Sequence, residues 1–404
     1  MRRAWRWFGG LLLLLAGGQA AAQVARYDLR AGDWLVYERR SETRGIDGAV
    51  VERSAHQVQF WVLRRHADGM ELMLEVATVV DGKAASRAGG LLTIDDRGRR
   101  TWPPAIEARM RELDPALELL PQMRPATETA PEWLSNADAL GRRWRYRQLE
   151  GDLERASISF ALEDPVLDVL GRGLEGRIVF DRVAGRVASL EAEMTDARAG
   201  HVTRIATTLR GAWTRPEDWR RRRFDETQRY VTALRGEERR LNDIDAGRVP
   251  GRNVLESLDR GWSGFMADLR AGSGDSPLQA WVAARVAALR AEQPALEARL
   301  RLAASWIGRP APDWSLQDGR GRQVRSDAQR EVPCVELFWR SEDEACLRVL
   351  VQLSEQWATL EGRPVNIVCV NIDRDLPLAA AAAERCAPRL VHAVGGEDLA
   401  PPAA

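Results

Sequence analysis

The chain has 404 residues, with 59 lysine or arginine residues and 59 aspartate or glutamate residues, so its formal net charge is zero. This balance gives no electrostatic reason to expect nucleic acid or an acidic membrane as the main partner. The hydrophobic fraction of 45% excludes wholesale disorder, and the length suits two or three domains.

The N-terminal residues have the order of a secretory signal peptide. Residues 2–6 contain three arginines, residues 8–16 are largely apolar, and residues 20–22 are alanines. We expect residues 1–22 to be a signal peptide cleaved after Ala22, which leaves a periplasmic or secreted bacterial protein. A retained N-terminal anchor is the alternative. No later segment has the ~18 unbroken apolar residues of a membrane span, so we expect no permanent span.

From residue 24 to about 213, short alternating apolar runs predict β-strands. The runs are at 34–37, 58–62, 72–76, 157–160 and 178–180. The last run enters a turn in which Gly185 takes positive φ, returns as 187–194, and continues into 203–209 as a meander. One helix is expected at 104–113. Residues 23–215 are therefore predicted to form a β-rich, mostly antiparallel domain curled around an apolar interior.

Two patterns in this region suggest ligand sites but lack the context that those sites need. Residues 171–176 match the GxGxxG dinucleotide fingerprint, yet a strand follows where a helix N-terminus must bind the pyrophosphate. His56, His66 and His201 have no metal-ligand spacing. We therefore expect no cofactor and no metal ion.

Residues 216–305 have a helical hydrophobic period, which predicts a helical connector. Pro216 opens a helix, and Ser276 is interpreted as an N-cap with Pro277 at the first helical position. The arginine run at 220–223 is interpreted as a solvated helix face, because carboxylates surround it at i,i+4 spacing.

Residues 306–404 have a different pattern, with strands and helices in alternation. A strand at 332–339, a helix at 344–360 and a strand at 365–370 form a βαβ unit with parallel pairing. The opening segment 308–316, with its Ala-Pro-Asp-Trp sequence and a small hairpin after it, and the later Phe338-Trp339 pair resemble exported thioredoxin-like proteins. These are of the TlpA/ResA type, in the AhpC/TSA-redoxin group, and the resemblance extends more loosely to peroxiredoxins.

The resemblance implies thiol-disulfide oxidoreduction by a Cys-x-x-Cys motif that begins the helix after Phe338-Trp339. In this sequence Asp343 stands where the attacking cysteine belongs, and Cys346, the resolving partner, remains. Cys346 lies on an apolar helix stripe with Val349, Leu350, Leu353, Trp357 and Leu360, where cysteine is usually a small buried hydrophobe. Nearby carboxylates disfavour its thiolate, and Asp343 is predicted to be the N-cap of the helix.

All four cysteines lie in the last quarter of the chain, which marks this part as a separate unit. Cys334 and Cys369 are expected in strand cores, and Cys386 is expected to be partly buried on a helix at 376–386. The family has a further strand pair entered through a cis-proline. After Asp373 there is room here for that helix and one short strand at 390–394, so the thioredoxin-like unit is incomplete or the sequence is truncated.

The sequence thus predicts a multidomain α+β protein with a β-rich antiparallel N-terminal domain, a helical connector and a C-terminal thioredoxin-like α/β domain. Three functions stay open. The first is a degenerate module that binds or docks to a periplasmic protein partner with little redox activity. The second is a single-cysteine thiol oxidoreductase acting through Cys346, and the third is a carrier of a lipid or another apolar ligand in the β-rich domain.

Overall fold

The computed structural model describes residues 25–394, apart from internal stretches at 81–82, 102–112, 126–129, 139–140, 246–250, 273–275, 307–308, 310–312, 319–320, 327–331, 361 and 374–375. The predicted signal peptide, nearly all of the helix predicted at 104–113 and the terminal prolines lie outside the described residues. Among those described, no helix is long and apolar enough to cross a membrane.

Eleven strands form one antiparallel sheet. They are β1 (Asp33–Arg44), β2 (Val50–His66), β3 (Gly69–Val80), β4 (Lys83–Ile94), β5 (Arg100–Thr101), β6 (Glu132–Leu134), β7 (Arg143–Gly151), β8 (Arg155–Glu163), β9 (Arg172–Asp181), β10 (Arg186–Asp196) and β11 (His201–Thr214). Their order is β5-β4-β3-β2-β1-β11-β10-β9-β8-β7-β6. Every predicted run falls within a strand, and Gly185 has a φ of 59° in the β9–β10 turn, as predicted. The GxGxxG segment begins just before β9 and runs into that strand.

Seven helices are described. They are α1 (Asp114–Leu117), α2 (Pro165–Val169), α3 (Glu217–Asp245), α4 (Gly251–Ala271), α5 (Leu278–Trp306), α6 (Glu344–Leu360) and α7 (Leu376–Cys386). Side chains of α3, α4 and α5 belong to the same hydrophobic core as the eleven-stranded sheet, with Tyr230, Trp262 and Trp281 among the largest. These three helices are therefore a layer on the sheet, a role that the expectation of a connector did not include.

Close contact between this layer and the sheet explains one glycine in β4. A Cβ atom at Gly89 would lie 1.9 Å from Cε2 of Trp281, so the indole ring occupies the space of a side chain. The ring Nε1 donates a 2.8 Å hydrogen bond to Glu75 on the neighbouring strand β3. The helix layer is thus held to the sheet by both apolar and polar contacts.

Two details of the helical region differ from the sequence predictions. Arg221 pairs with Glu217 as expected, but Arg223 is fully buried and pairs with Glu226, because its face of α3 turns toward the sheet. The interpretation of the whole run as solvated was therefore wrong. Helix α5 begins at Leu278, one residue later than predicted, and the hydroxyl of Ser276 donates to Glu226 at 2.6 Å.

The C-terminal residues form a second sheet with two helices. Its strands are β12 (Ser315–Asp318), β13 (Gln323–Arg325), β14 (Cys334–Trp339), β15 (Asn366–Asn371) and β16 (Val391–Val394), in the order β13-β12-β16-β15-β14. Strands β14, β15 and β16 are parallel, which confirms the βαβ prediction, whereas β12 is antiparallel to β16. Strand β14 is therefore an edge strand.

The apolar stripe predicted on α6 is displaced by part of a turn. Leu347 and Leu350 are fully buried, whereas Val349 is 43% exposed and Cys346 is half-buried. Cys369 and Cys386 are buried, but Cys334 is only half-buried because it lies on the edge strand. The prediction of a core position was thus right for Cys369 and too strong for Cys334.

Candidate functional site

The candidate site lies at the carboxyl ends of β14 and β15. Because neighbouring parallel strands end at the same edge of a sheet, the segments that follow them come together there, and such edges commonly form ligand sites. Ser341 and Asp343 follow β14, and Cys346 lies in the first turn of α6. Asn371 and Asp373 come from the end of β15.

Asp343 is the N-cap of α6, as predicted. Its Oδ1 accepts hydrogen bonds from the backbone N–H of Ala345 at 2.8 Å and of Cys346 at 3.4 Å. These are two of the amides that a helix leaves unpaired at its start. The carboxylate is therefore fixed at the start of α6, beside the thiol of Cys346.

The thiol of Cys346 is in surroundings that oppose ionisation. Burial is the largest cause that raises its pKa, a backbone hydrogen bond from Arg340 lowers it, and the carboxylates of Asp343 and Asp373 raise it further. The net direction is upward, so the nucleophilic thiolate is a minor form near neutral pH. Cys346 is also a free cysteine.

Asp373 belongs to a buried hydrogen-bond network that the sequence analysis did not identify. Its Oδ2 accepts from the backbone N–H of Ser341 at 2.8 Å and from Nδ2 of Asn371 at 2.9 Å. Asn371 in turn accepts from the backbone N–H of Asp373 at 3.1 Å. The sequence feature that could have indicated this network is the pair of polar residues, Asn371 and Asp373, at the end of a buried strand. The network fixes a second negative charge near the thiol.

The other three cysteines show the same resistance to ionisation. Burial raises the pKa of Cys369 to about 12 and that of Cys386 to about 11. Burial and the nearby Glu336 carboxylate raise the pKa of Cys334. Within the described ranges, no group of three or more His, Cys, Asp or Glu side chains is arranged to hold a metal ion.

The helix that begins at this site is also the helix that contacts the β-rich part of the chain. Arg348 on α6 is buried and pairs with Asp164 at 2.7 Å and with Glu344 at 2.8 Å. Asp164 is itself buried and caps α2 by accepting from the N–H of Val166 at 2.9 Å. Sequence reasoning missed this pair, because its members are 184 positions apart.

Apolar contacts surround this ion pair. Val166, Val169 and Leu170, which belong to α2 and its end, are part of the same buried cluster as Trp339, Leu347 and Leu350. Arg172 at the start of β9 also approaches Glu344 at 3.8 Å. The α2 segment thus completes the core of the C-terminal unit.

The β-rich part has its own open groove of about 1280 Å³, lined by residues of nine strands. Six arginines and five glutamates contribute to the lining, namely Arg40, Arg53, Arg145, Arg147, Arg177 and Arg204 with Glu42, Glu132, Glu175, Glu191 and Glu193. Covering charged groups with an apolar ligand removes them from water at a high free-energy cost. The lining also includes Tyr146, Phe160 and Ile205, so the groove presents both charged and apolar surface and does not favour one class of ligand.

No protein-family model matches the sequence, and no curated protein matches it. A structure assigned as the thiol:disulfide interchange protein DsbE of Chlorobium tepidum is 19% identical, with 22% of this chain and 62% of that chain covered and a TM-score of 0.21. The thioredoxin domain of a thiol-disulfide oxidoreductase from Bacteroides vulgatus is also 19% identical, with 22% and 65% covered and a TM-score of 0.22. This chain spans less than two thirds of either.

A larger share of the chain is similar to a different solved structure. A protein from Bacteroides fragilis with a YmcC-like fold, assigned as exported, is 9% identical, with 47% of this chain and 100% of that chain covered and a TM-score of 0.23. Similarities at this level do not identify a function for the chain.

Proposed function

We propose that the C-terminal unit is a redox-inactive thioredoxin-like module that docks onto the β-rich part of its own chain, in a protein exported from the cytoplasm. The observation that supports this best is the Asp343 carboxylate, which caps α6 beside a thiol of raised pKa. A protein partner outside the chain stays a prediction.

Thiol-disulfide exchange requires an accessible thiolate and, in a dithiol motif, a second thiol that releases the mixed disulfide. Cys346 is half-buried and faces Asp343 and Asp373, which oppose its ionisation. By the resemblance, the Asp343 carboxylate stands at the position of the attacking cysteine, so Cys346 has no dithiol partner in this motif. A module built in this way keeps the helix and the sheet but lacks both requirements of the reaction.

The docking half of the proposal is supported by the burial of Arg348 and Asp164. Leaving either charge unpaired in a buried position is strongly unfavourable, so the two units are held in a defined arrangement. The same helix provides Asp343 at its N-terminus and Arg348 one turn later. Because α6 is fixed on the neighbouring unit by the Arg348–Asp164 pair, it is suited to keep the two units bound to each other.

The experiment compares the alkylation rate of Cys346 in three proteins by mass spectrometry of native samples with iodoacetamide. Asp343→Asn keeps an N-cap side chain but removes the negative charge, so the rate should rise above that of the parent. Glu342→Gln removes a neighbouring exposed charge that does not cap the helix, and it should leave the rate nearly unchanged. All four cysteines should react after unfolding.

Two outcomes would favour the other functions. Rapid native alkylation of parent Cys346 near neutral pH, together with insulin reduction, would establish the single-cysteine oxidoreductase. A lipid released by solvent extraction of purified protein and identified by mass spectrometry would support the apolar-ligand carrier, despite the charged lining of the large groove.

A further inference from the structure

The free edge of the five-stranded sheet is a surface that the proposed function does not use. Within the described residues, β14 pairs in parallel with β15 over its whole length and has no strand on its other side. The three other sheet edges are shorter, with two residues in β5 and three each in β6 and β13, against six in β14. Very short edge strands are one way in which proteins prevent further pairing, so β14 is the edge least protected against it.

In the middle of β14, the backbone groups on the free side are those of Glu336 and Phe338. On the other side, the carbonyls of Pro333 and Trp339 accept hydrogen bonds at 2.9 Å and 3.1 Å from amides in β15 and just after it. Because backbone groups alternate between the two sides of a strand, the odd-numbered residues of β14 face β15 and the even-numbered ones face outward. Glu336 and Phe338 lie symmetrically about Leu337, so this edge is complementary to a second copy of itself.

Antiparallel pairing of two copies about an axis at Leu337 gives a continuous ladder. Each Glu336 lies opposite Phe338 of the second copy, and each such pair exchanges both of its N–H···O=C bonds. Val335 then lies opposite Trp339 of the second copy on one face, and Phe338 lies diagonally across from its own counterpart on the other face. Val335 is 47% and Phe338 45% exposed in one copy, so the pairing removes apolar surface from water on both faces of the sheet.

The charges near the two ends of this edge favour a second copy in the antiparallel orientation. Glu336 and Arg340 are exposed, and in the part of the chain that the structure describes neither has an ion-pair partner. The backbone of Arg340 already bonds to Asp343 and Cys346, so only its side chain takes part in the pairing. Antiparallel pairing places Glu336 of each copy diagonally across from Arg340 of the other, whereas in-register parallel pairing would place like charges side by side.

We infer that β14 is a self-association edge, through which two copies of this chain join their five-stranded sheets into one continuous sheet about a two-fold axis at Leu337. The contact is confined to one short strand from each copy, so it is smaller than the ~1,000 Å² of a stable interface. The dimer is therefore weak and forms as the protein concentration rises. It does not depend on the ionisation of Cys346 or on the docking of α6, which involve other surfaces.

The test is sedimentation equilibrium of the full-length protein at concentrations from about 5 to about 500 μM. We expect the average mass to rise from that of the 45.1 kDa monomer toward twice that value, with a Kd of about 10–300 μM. Glu336→Arg and Arg340→Glu each place like charges across the axis, so each should weaken association about fivefold or more. An equal mixture of these two variants should associate at least as tightly as the parent, because arginine then faces glutamate at every charged position.

The control is Glu384→Arg, which inverts an exposed charge on α7 of the same unit and should associate like the parent. Phe338→Pro removes an outward N–H without affecting the bonds to β15, and it should leave a monomer. Urea unfolding should show that the charge variants are as stable as the parent. A parent that stays monomeric at every concentration would overturn the inference. So would charge variants that each associate like the parent, or a mixture of the two that does not associate.

Discussion

The two sheets of this protein differ in how their faces are covered. In the eleven-stranded sheet, residues 58–63 of β2 and 72–77 of β3 are buried without interruption, because the helix layer and the segment that contains α1 both pack into the core with these strands. In the five-stranded sheet, the edge strand β14 leaves Val335 47% and Phe338 45% exposed. The first sheet is covered by helices that follow it directly in sequence.

The smaller unit depends instead on a segment of the larger one. Its core includes Val166, Val169 and Leu170, which precede its first strand in sequence by about a third of the length of the chain. Polar groups differ in the same way: the larger unit places Glu75 in an internal network, and the smaller one uses Arg348 to pair with Asp164 across the junction. The comparison indicates that the smaller unit relies on the larger one for part of its core.

The largest effect is expected from Trp281→Ala, which tests whether the helix layer is integral to the larger unit. Truncation removes a buried ring that packs on Gly89 and leaves Oε2 of Glu75 without its indole donor, so the free energy of unfolding in urea should fall by about 3–5 kcal/mol. Trp213→Ala is the matched control, because that ring is 50% exposed and its loss should cost far less. Equal losses would show that the helices add little to this core.

Arg348→Met tests the dependence of the smaller unit on its neighbour. Asp164 would be left buried without its cation, at a cost of about 3 kcal/mol, and limited proteolysis should cut the C-terminal unit first. Adding Asp164→Asn should restore part of the loss, since asparagine caps α2 without a charge. The exposed pair of Arg301 and Glu297 provides a control, because Arg301→Met should change stability by less than about 1 kcal/mol. An Arg348 variant as stable as that control would refute the docking role.

Asp343→Cys tests whether the smaller unit is a lapsed redox scaffold. The substitution removes an observed N-cap, at a cost of about 0.5–2 kcal/mol, and places a second thiol at Cys-x-x-Cys spacing with Cys346. We expect a 343–346 disulfide in mass spectra and a small gain in insulin reduction over the parent. If no disulfide forms under mild oxidation, the side chains at positions 343 and 346 are not placed to form one, which would contradict the hypothesis of a lapsed redox scaffold.

The smallest effect concerns pH and the larger unit. Burial is the main cause that raises the pKa of Glu75 above the ordinary value of 4.5, while Trp281 and Arg87 oppose it. The folded state then holds this proton more tightly than the unfolded chain does. Parent stability should therefore fall relative to Glu75→Gln as pH rises above about 4.5, and parallel urea titrations measure the difference. A constant difference across that range would contradict the raised pKa.

Local patterns predicted the elements of this fold well. The bounds of α6 and α7 agree with the sequence predictions, as do the β9–β10–β11 meander and the Asp343 cap, since periodicity and capping residues act within a few positions. Burial of Arg223 and exposure of Val349 were missed, because a helical pattern does not state which distant segment covers each face. The Asp373 network and the Arg348–Asp164 pair depend on contacts made only after folding.

Asp164 connects the two units in a way that bears on cooperativity. The same carboxylate caps α2 and binds Arg348, while α2 contributes apolar side chains to the C-terminal core. If α2 frays, the cap, the ion pair and those apolar contacts are lost together, so the C-terminal unit loses part of its core in the same event. The boundary near residue 306 therefore separates segments of sequence but does not separate independently melting units.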